Sequence, residues 1–116
     1  PSGWADDVFA QISESQVGRT VRTSRWKYSV RAPNGNGYED SYADTYVEEF
    51  LYDLWSDPYE LENLVGGIQY RAVADRMKER LLARIKTIED RAPKIENAPE
   101  VKLPGQRMVW PEEIDR

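Results

Sequence analysis

The sequence predicts an α+β domain: a small antiparallel β-sheet of about four strands, one long C-terminal helix packed on one face of it, and an extended tail. Three observations lead to this prediction. Several short stretches alternate in apolar character, which is typical of strands, and a later stretch repeats apolar residues every three or four positions, which is typical of an amphipathic helix. The chain has 116 residues, enough for one modest core between two layers.

The first predicted strands come from residues 8–15 and 17–31. The first stretch alternates simply, but in the second the apolar positions change parity. One straight strand cannot accommodate such a change, because each of its faces carries a single parity. A two-residue turn at 24–25 makes this stretch a hairpin with its apolar side chains on one face. In that hairpin Arg22 lies directly opposite Lys27.

Residues 45–54 predict a further, longer strand. It follows a loop at 32–42 that is rich in Gly and Asn, the residues that accept turn conformations most easily. We expect it to pair with residues 26–31 across this loop. The face expected to contact the helix carries Phe50, Tyr52 and Leu54, together with Tyr46 and, as an interruption, Glu48.

Residues 68–91 predict the helix. Its apolar stripe runs from Tyr70 to Ile88 at spacings of three or four, and Pro93 ends it. We therefore divide the chain into an α+β domain at 1–91 and an extended, Pro-containing tail at 92–116. The tail is expected to lie on the sheet or on another domain through Val109 and Trp110.

The composition excludes several classes of function. The chain contains no cysteine and no histidine, so a disulfide framework, a zinc site built on these residues and catalysis by a Cys–His or Ser–His–Asp arrangement are excluded. Its formal net charge is −5, which is unfavourable for binding phosphate backbones. No apolar run approaches the roughly 18–20 residues of a membrane span. We expect neither a nucleic acid nor a membrane as a partner.

Two groups of basic residues leave alternatives open. Arg76, Arg80 and Arg84 form a row on the predicted helix, which is either a solvated face or an anion-binding ridge. The basic residues of the hairpin form either an ion network with Glu49 and Asp53 on the next strand or a rim that contacts an anionic substrate or a neighbouring domain.

The acidic residues between positions 53 and 62 do not predict a metal site. Calcium needs six to eight oxygens from a compact loop, and Pro58 interrupts this stretch. Nothing selects a carboxylate pair for glycoside hydrolysis either. The residues by themselves therefore predict an α+β domain without catalysis of its own.

Two stretches resemble signatures found near the C-terminus of sulfatases. Residues 21–28 read VRTSRWKY and resemble VRT-x-R-(Y/W)-KY, and residues 51–64 read LYDLWSDPYELENL and resemble LYDL-xx-DP-x-E-xx-NL. The order and separation of the two stretches, and the long helix after them, are also similar to that family. The resemblance covers roughly residues 8–91 and not the tail.

The resemblance implies a C-terminal domain of an arylsulfatase-like enzyme, a sulfuric ester hydrolase of the alkaline-phosphatase superfamily. In that family a separate N-terminal domain holds a divalent cation, usually calcium, and a formylglycine made from a C/S-x-P-x-R motif. This chain has no such motif, and Asp6–Asp7 lacks the surroundings of the family's metal ligands. We expect no catalytic residue, no metal and no cofactor here, and the Met-less start suggests excision from a longer protein. The expected partner is the missing catalytic domain, or a second copy in a homodimer.

What the resemblance implies for single residues is structural. The turn between the last strand and the helix is expected to be fixed by Asp57, Pro58, Glu60 and Asn63, through capping, a preset φ and backbone hydrogen bonds. Arg22 and Lys27 are expected to contact the catalytic domain or its anionic substrate. An exposed apolar patch is expected near Trp4, Phe9, Trp55 or Trp110.

Two alternatives remain at this stage. The same domain could belong to a phosphonate or phosphodiester hydrolase, which the sequence does not separate from a sulfatase. The chain could also be a free-standing protein- or anion-binding module that uses the basic helix row or an aromatic sheet face. Nothing in the sequence indicates a compartment.

Overall fold

The sheet has five strands, of which the first four are those that the alternation predicts. A computed structural model of the protein describes residues 8–13, 17–33, 42–105 and 107–114. The strands are β1 (Val8–Ser13), β2 (Val17–Arg22), β3 (Trp26–Arg31), β4 (Thr45–Asp53) and β5 (Lys94–Glu96). They lie side by side in chain order. The first four are antiparallel and β5 is parallel to β4. The predicted α+β class is confirmed, with a mixed sheet because the tail adds β5.

The β2–β3 hairpin has the register that the parity change predicts. Arg22 pairs with Lys27 across the two strands, and Val21 pairs with Tyr28. The backbone N–H of Thr23 donates to the carbonyl of Trp26 at 2.8 Å and closes the turn. Because the turn is short and the register correct, the apolar side chains of both strands reach the helix-covered face, where Val21 and Tyr28 are fully buried.

Strand β4 departs from the prediction because its register against β3 shifts. Ser29 pairs with Phe50, but the next residue, Val30, pairs with Glu48, so that Glu49 is the extra residue of a β-bulge. An extra residue reverses the facing of every residue beyond it. The face that contacts the helix therefore carries Tyr46 and Glu48 before the bulge, but Leu51 and Asp53 after it. The expectation that Phe50, Tyr52 and Leu54 face the helix is wrong.

The helix α1 covers one face of the sheet. It spans Arg71–Glu89 and follows a single 3₁₀ turn at Ile68–Tyr70. Its buried stripe runs from Val73 through Met77 and Leu81 to Ile85, as predicted, whereas Ile88 is 54% exposed. Three residues after Ile85, a side chain points about 60° away from the stripe at 3.6 residues per turn.

The segment after the helix packs on the domain along most of its described length. Beyond β5, Val101 exchanges backbone hydrogen bonds with Gly66 and Ile68 at 2.8 and 2.9 Å. The side-chain amide of Gln69 donates to the carbonyl of Leu103 at 2.8 Å and accepts from its N–H at 3.3 Å. Farther on, the side chains of Val109 and Ile114 are buried. We call residues 94–114 the strap.

Candidate functional site

The turn between β4 and α1 is organised around the carboxylate of Asp57. One carboxylate oxygen accepts from the N–H of Leu61 and the other from the N–H of Glu62, each at 2.9 Å. Pro58 is exposed at the start of the turn, and its fixed φ suits that position. Glu60 has a φ of 56°, in the left-handed region that non-glycine residues rarely adopt. Its N–H donates to the carbonyl of Asp57 at 3.1 Å, and the next residue, Leu61, donates to the Asp57 carboxylate. These two hydrogen bonds hold Glu60 in this conformation.

Asn63 attaches the turn to the open edge of β4. Strand β5 pairs only with residues 45–47 of β4, which leaves the edge groups farther along the strand without a strand partner. The Asn63 side chain accepts from the N–H of Leu51 at 3.0 Å and donates to the carbonyl of Glu49 at 3.0 Å. It also accepts from the N–H of Val65 at 3.0 Å. One side chain therefore satisfies backbone groups that the sheet would otherwise leave unpaired.

The guanidinium of Arg25 joins the hairpin end to the end of β4. It donates to both carboxylate oxygens of Asp53, at 3.2 and 2.9 Å. The same group lies 4.5 Å from the ring centroid of Trp26 and 5.0 Å from that of Trp55. A guanidinium held between two indoles gains from cation–π attraction as well as from its ion pair. Trp55 is positioned by this contact and still 58% exposed.

Lys27 and Arg22, the two residues expected to make a contact, differ in their surroundings. The ammonium of Lys27 pairs with the carboxylate of Glu60 at 3.0 Å and lies 5.6 Å from the ring centroid of Phe50. Lys27 therefore ties the hairpin to the turn. The side chain of Arg22 is exposed beside it, on the face of the sheet that α1 does not cover.

The turn carries the most exposed large apolar side chains of the described chain. Tyr59 is 83% and Leu61 85% exposed, and Trp55 lies on the same turn. Of the other residues expected to form an apolar patch, Trp110 is exposed. Phe9 is partly buried against the core, and Trp4 lies outside the described residues. Residues 55–63, which we call the turn segment, therefore combine a fixed backbone with apolar side chains in water.

Two clusters of buried charge lie under the helix and were not predicted. The carboxylate of Glu48 accepts from Tyr28 Oη at 2.7 Å and from the backbone N–H of Ala98 at 2.9 Å. It also receives both terminal nitrogens of Arg71, at 3.0 and 2.6 Å. Burial alone would raise the pKa of Glu48, but the hydrogen bonds from Arg71, Ala98 and Tyr28 outweigh it and lower that pKa.

The second cluster joins β2 to the end of α1. Arg19 is 1% exposed and donates to both carboxylate oxygens of Glu89, at 2.8 and 2.9 Å. It also donates to the carbonyl of Gly18 at 2.8 Å. Burial alone would lower the pKa of Arg19, but its hydrogen bonds to Glu89 and the nearby negative charges raise it. The sequence did contain an indication of both clusters. Arg19 and Glu48 each occupy a position whose neighbours two residues away on either side are apolar, as expected for a side chain that faces the core.

The row of basic residues on the helix, Arg76, Arg80 and Arg84, is not a uniformly solvated face. Arg80 is 2% exposed, while Arg76 and Arg84 are half-buried. Of the two alternatives, a solvated face is therefore wrong for Arg80, because the buried surface of α1 is wider than its apolar stripe. Arg76 pairs with Glu79 at 3.2 Å.

The described residues contain neither a metal-binding cluster nor a membrane helix. Within 8–13, 17–33, 42–105 and 107–114, no three acidic side chains come close enough together to hold a metal ion. In the same ranges, no helix has the length and apolar character needed to cross a bilayer. Asp6 and Asp7 lie outside these ranges.

Comparison with models of known protein families and with curated proteins found no match for this chain.

Proposed function

We propose that this chain is the C-terminal accessory domain of a sulfatase-family enzyme, in which it packs on the catalytic domain and is inactive alone. The observation that carries the proposal is the turn segment. It is formed by the residues of the second signature stretch, it has a fixed backbone, and it holds three large apolar side chains in water.

The two signature stretches support the proposal together, because they contact each other. Arg25 of the first stretch pairs with Asp53 of the second, and Lys27 of the first pairs with Glu60 of the second. Residues 28 and 33 positions apart in the chain are thus held together.

A surface of this kind suits docking on another domain. Exposed apolar side chains that cluster on one feature are typical of interaction sites rather than of a random surface. Because hydrogen bonds that the side chains of Asp57 and Asn63 accept from backbone N–H groups already fix the backbone, little conformational entropy remains to be lost when a partner binds. A flexible loop with the same side chains would bind more weakly.

The chemistry would then belong to the catalytic domain, which we expect to supply the divalent cation, calcium in most of the family, and the formylglycine. This chain contributes neither histidine nor cysteine. The buried carboxylates that the structure describes, Glu48 and Asp53, are engaged in hydrogen bonds and ion pairs with arginine, as structural groups are. Its role would be to complete the folded enzyme and to shape the edge of the substrate cleft.

The test is the identity of the native gene product. Its intact mass and its peptides N-terminal to Pro1 would be measured by mass spectrometry. We expect a product several-fold heavier than the 13.5 kDa of this chain, with a formylglycine in a C/S-x-P-x-R peptide. A native product near 13.5 kDa would overturn the proposal and favour a free-standing module.

Activity assays on that native product separate the chemical alternatives. The proposal predicts hydrolysis of an aryl sulfate such as 4-nitrophenyl sulfate, with loss of activity when calcium is chelated. Faster hydrolysis of an aryl phosphonate or of bis(4-nitrophenyl) phosphate would keep the accessory-domain role but assign the parent to a phosphonate or phosphodiester hydrolase.

A further inference from the structure

The first part of the strap, residues 94–103, lies along a groove of the domain and is held there through its backbone. We call residues 44–48 and 66–71 the groove. Strand β5 pairs with three residues of β4 in the first part of the groove. Farther along, Val101 forms hydrogen bonds with the second part through both of its backbone groups, at 2.8 and 2.9 Å. Main-chain hydrogen bonds of this kind hold extended peptides in proteins that bind them by strand addition.

Two side chains of the groove also bind the backbone of the strap. The amide of Gln69 binds both the carbonyl and the N–H of Leu103, at 2.8 and 3.3 Å, so that one residue is recognised through both of its backbone groups. The carboxylate of Glu48 accepts from the N–H of Ala98 at 2.9 Å. Both groove side chains are buried, and the strap backbone supplies partners for polar groups that are removed from water.

Two glycines give the strap room to lie close to the domain. A Cβ added to Gly66 would collide with the backbone carbonyl of Pro99, and a Cβ added to Gly67 would collide with the side chain of Leu103. Close approach of two backbones is a position that glycine suits, because it has no side chain. The groove is therefore shaped for an extended segment.

The side chains of the strap contribute little to this contact. Between positions 94 and 103, Ile95 is buried, Ala98 and Leu103 are half-buried, and the other seven residues are exposed. The groove thus requires an extended backbone and apolar side chains at two positions, 95 and 103, and sets few other demands on the sequence that it binds.

The connection between α1 and the strap has the features of a hinge. Four residues, 90–93, join the end of α1 to β5. Asp90 has a φ of 55°, in the left-handed region that a non-glycine residue occupies at the cost of strain. Short connections under strain favour the exchange of a segment between copies of a protein, because the strain is relieved when the segment extends to a neighbour.

We propose that the groove is a peptide-binding site, filled in this structure by the chain's own strap, and that it also accepts the strap of a second copy of this chain. Exchange of an identical segment retains every contact described above. Residues 94–103 contain two basic and two acidic side chains, so an incoming strap adds no net charge to an acidic chain. The inference is independent of the proposed function, because it involves neither signature stretch and no catalytic domain.

The first experiment measures binding of the strap sequence as a separate peptide. The probe is a fluorescein-labelled peptide with the sequence of residues 94–103, KIENAPEVKL, and its anisotropy reports binding to the full 116-residue chain. The receptor is the full-length variant Leu103→Ser, whose own strap has lost an apolar contact and competes less well for the groove. We expect saturable binding, at least fivefold tighter than to the original chain. The matched variant Lys102→Ser, changed at the neighbouring exposed position, should bind the peptide no more tightly than the original chain does.

A modified peptide tests recognition through the backbone. N-methylation at the position of Leu103 removes the N–H that donates to the Gln69 side chain, and we expect at least fivefold weaker binding to Leu103→Ser. N-methylation at the exposed position of Lys102 is the control and should weaken binding less. The proposal is overturned by equal effects of the two methylations, by absence of saturable binding, or by equal binding of the unmodified peptide to Leu103→Ser and to the original chain.

A deletion variant tests the exchange between copies. Removing Arg91 and Ala92 from the full chain shortens the connection by up to roughly 7 Å, so that the strap no longer reaches its own groove. At a concentration where the original chain is a monomer, we expect this variant to sediment as a dimer that an excess of the peptide dissociates. Replacing the same two residues by glycine keeps the length and should leave the chain monomeric.

Two results of the deletion experiment would count against exchange. A deletion variant that stays monomeric would show that the groove does not take a strap from another copy. A dimer that the peptide does not dissociate would show association through another surface, such as the turn segment. Neither result depends on the mass of the native gene product, so the proposed function is tested separately.

Discussion

The helix-covered face of the sheet contains ion pairs with arginine, and the turn segment adjoins one, that of Arg25 with Asp53. Apolar side chains are buried in the first region and exposed in the second. Under α1, Glu48 and Arg19 are enclosed together with the core, and the apolar side chains around them are removed from water. At the turn segment, Arg25 fixes the position of Trp55, and Tyr59 and Leu61 extend into water.

The difference shows what each set of polar contacts achieves. Removing a charge from water costs several kcal/mol per ion unless hydrogen bonds and an opposite charge replace the solvent. The four hydrogen bonds to Glu48 meet that condition and tie β3, β4, α1 and the strap to one carboxylate. The contacts of Asp57 and Asn63 enclose no core; they hold the backbone of an exposed turn and attach it to the edge of β4. The first set stabilises the fold, whereas the second presents a surface.

The largest expected effect is therefore on the buried side. Glu48→Gln removes the charge that Arg71 and Tyr28 face, and we expect a loss of about 3–5 kcal/mol in the free energy of unfolding, as when one partner of a buried ion pair is removed. Urea denaturation followed by Trp fluorescence measures it. The matched control is Glu49→Gln, one residue away on the bulge and half-exposed, which should change stability by less than about 0.5 kcal/mol. Similar losses in both variants would contradict the comparison.

The second largest loss of stability is expected where the strap contacts Gly66. Gly66 has a φ of +83°, and a Cβ added there would collide with the backbone carbonyl of Pro99 in the strap. Gly66→Ala combines backbone strain with this collision, and we expect a loss of about 3 kcal/mol. Gly105→Ala is the control, because its φ is +76° but, among the described residues other than its chain neighbours, nothing lies within 4 Å of the added carbon. It should cost only the strain, about 1–2 kcal/mol. Equal losses of stability in the two variants would mean that the carbonyl of Pro99 does not limit the space at Gly66.

The pH dependence of stability tests the Glu48 cluster without disturbing its packing. The pKa of Glu48 is lowered in the folded state from its ordinary value of 4.5. A lowered carboxyl pKa adds stability that is fully present above pH 4.5 and is lost as the pH falls through the lower, folded-state pKa. We expect the original chain to lose stability more steeply between pH 4.5 and 3 than Glu48→Gln does. Parallel curves would contradict the prediction, since the lowered carboxyl pKa values of Asp90 and Glu113 are shared by both proteins.

A smaller effect is expected from the link between the turn segment and β4. Asn63→Ala leaves the N–H of Leu51 and the carbonyl of Glu49 without their partner, although nearby water can replace part of the loss. We expect a decrease of about 1–2 kcal/mol in stability. Hydrogen exchange should show faster exchange at the amides of Leu51 and Val65 and unchanged protection at Met77 in the core. Uniform loss of protection across the chain would instead make Asn63 part of the core's cooperative unit.

The sequence predicts the parts of this fold that depend on neighbours along the chain. The parity change between 17 and 31 determines the hairpin register, because side-chain facing has a period of two and a short turn permits one solution. The bulge at Glu49 could not be predicted, since it depends on how two strands pair across a long loop. The sequence contains one indication of an irregularity, which is Glu48, a charged residue among apolar residues at alternate positions of the strand.

The candidate site shows the same division. The local hydrogen bonds of Asp57 reach only four and five residues along the chain, and such turn chemistry follows from residue type. The partner of Arg19 lies 70 residues away, and Arg80 is buried although it stands in a row of basic residues. Parallel pairing of residues 94–96 with β4 is likewise a tertiary contact. Burial of a charge depends on what the rest of the chain brings to it.

The smallest effect on stability, and the sharpest test of the comparison, is expected from the exposed apolar side chains. Tyr59→Ser combined with Leu61→Ser removes apolar surface that is already in water, so the free energy of unfolding should change by less than about 0.5 kcal/mol. If the turn segment is a docking surface, the isolated chain should self-associate through it at high concentration, and the double variant should reduce that association in sedimentation velocity. The control is Ile88→Ser, an equally apolar change at a 54%-exposed position on α1, which should leave association unchanged. A large loss of stability in the double variant would show that Tyr59 and Leu61 belong to the packing of the fold. Loss of association in Ile88→Ser alone would move the docking surface to the helix.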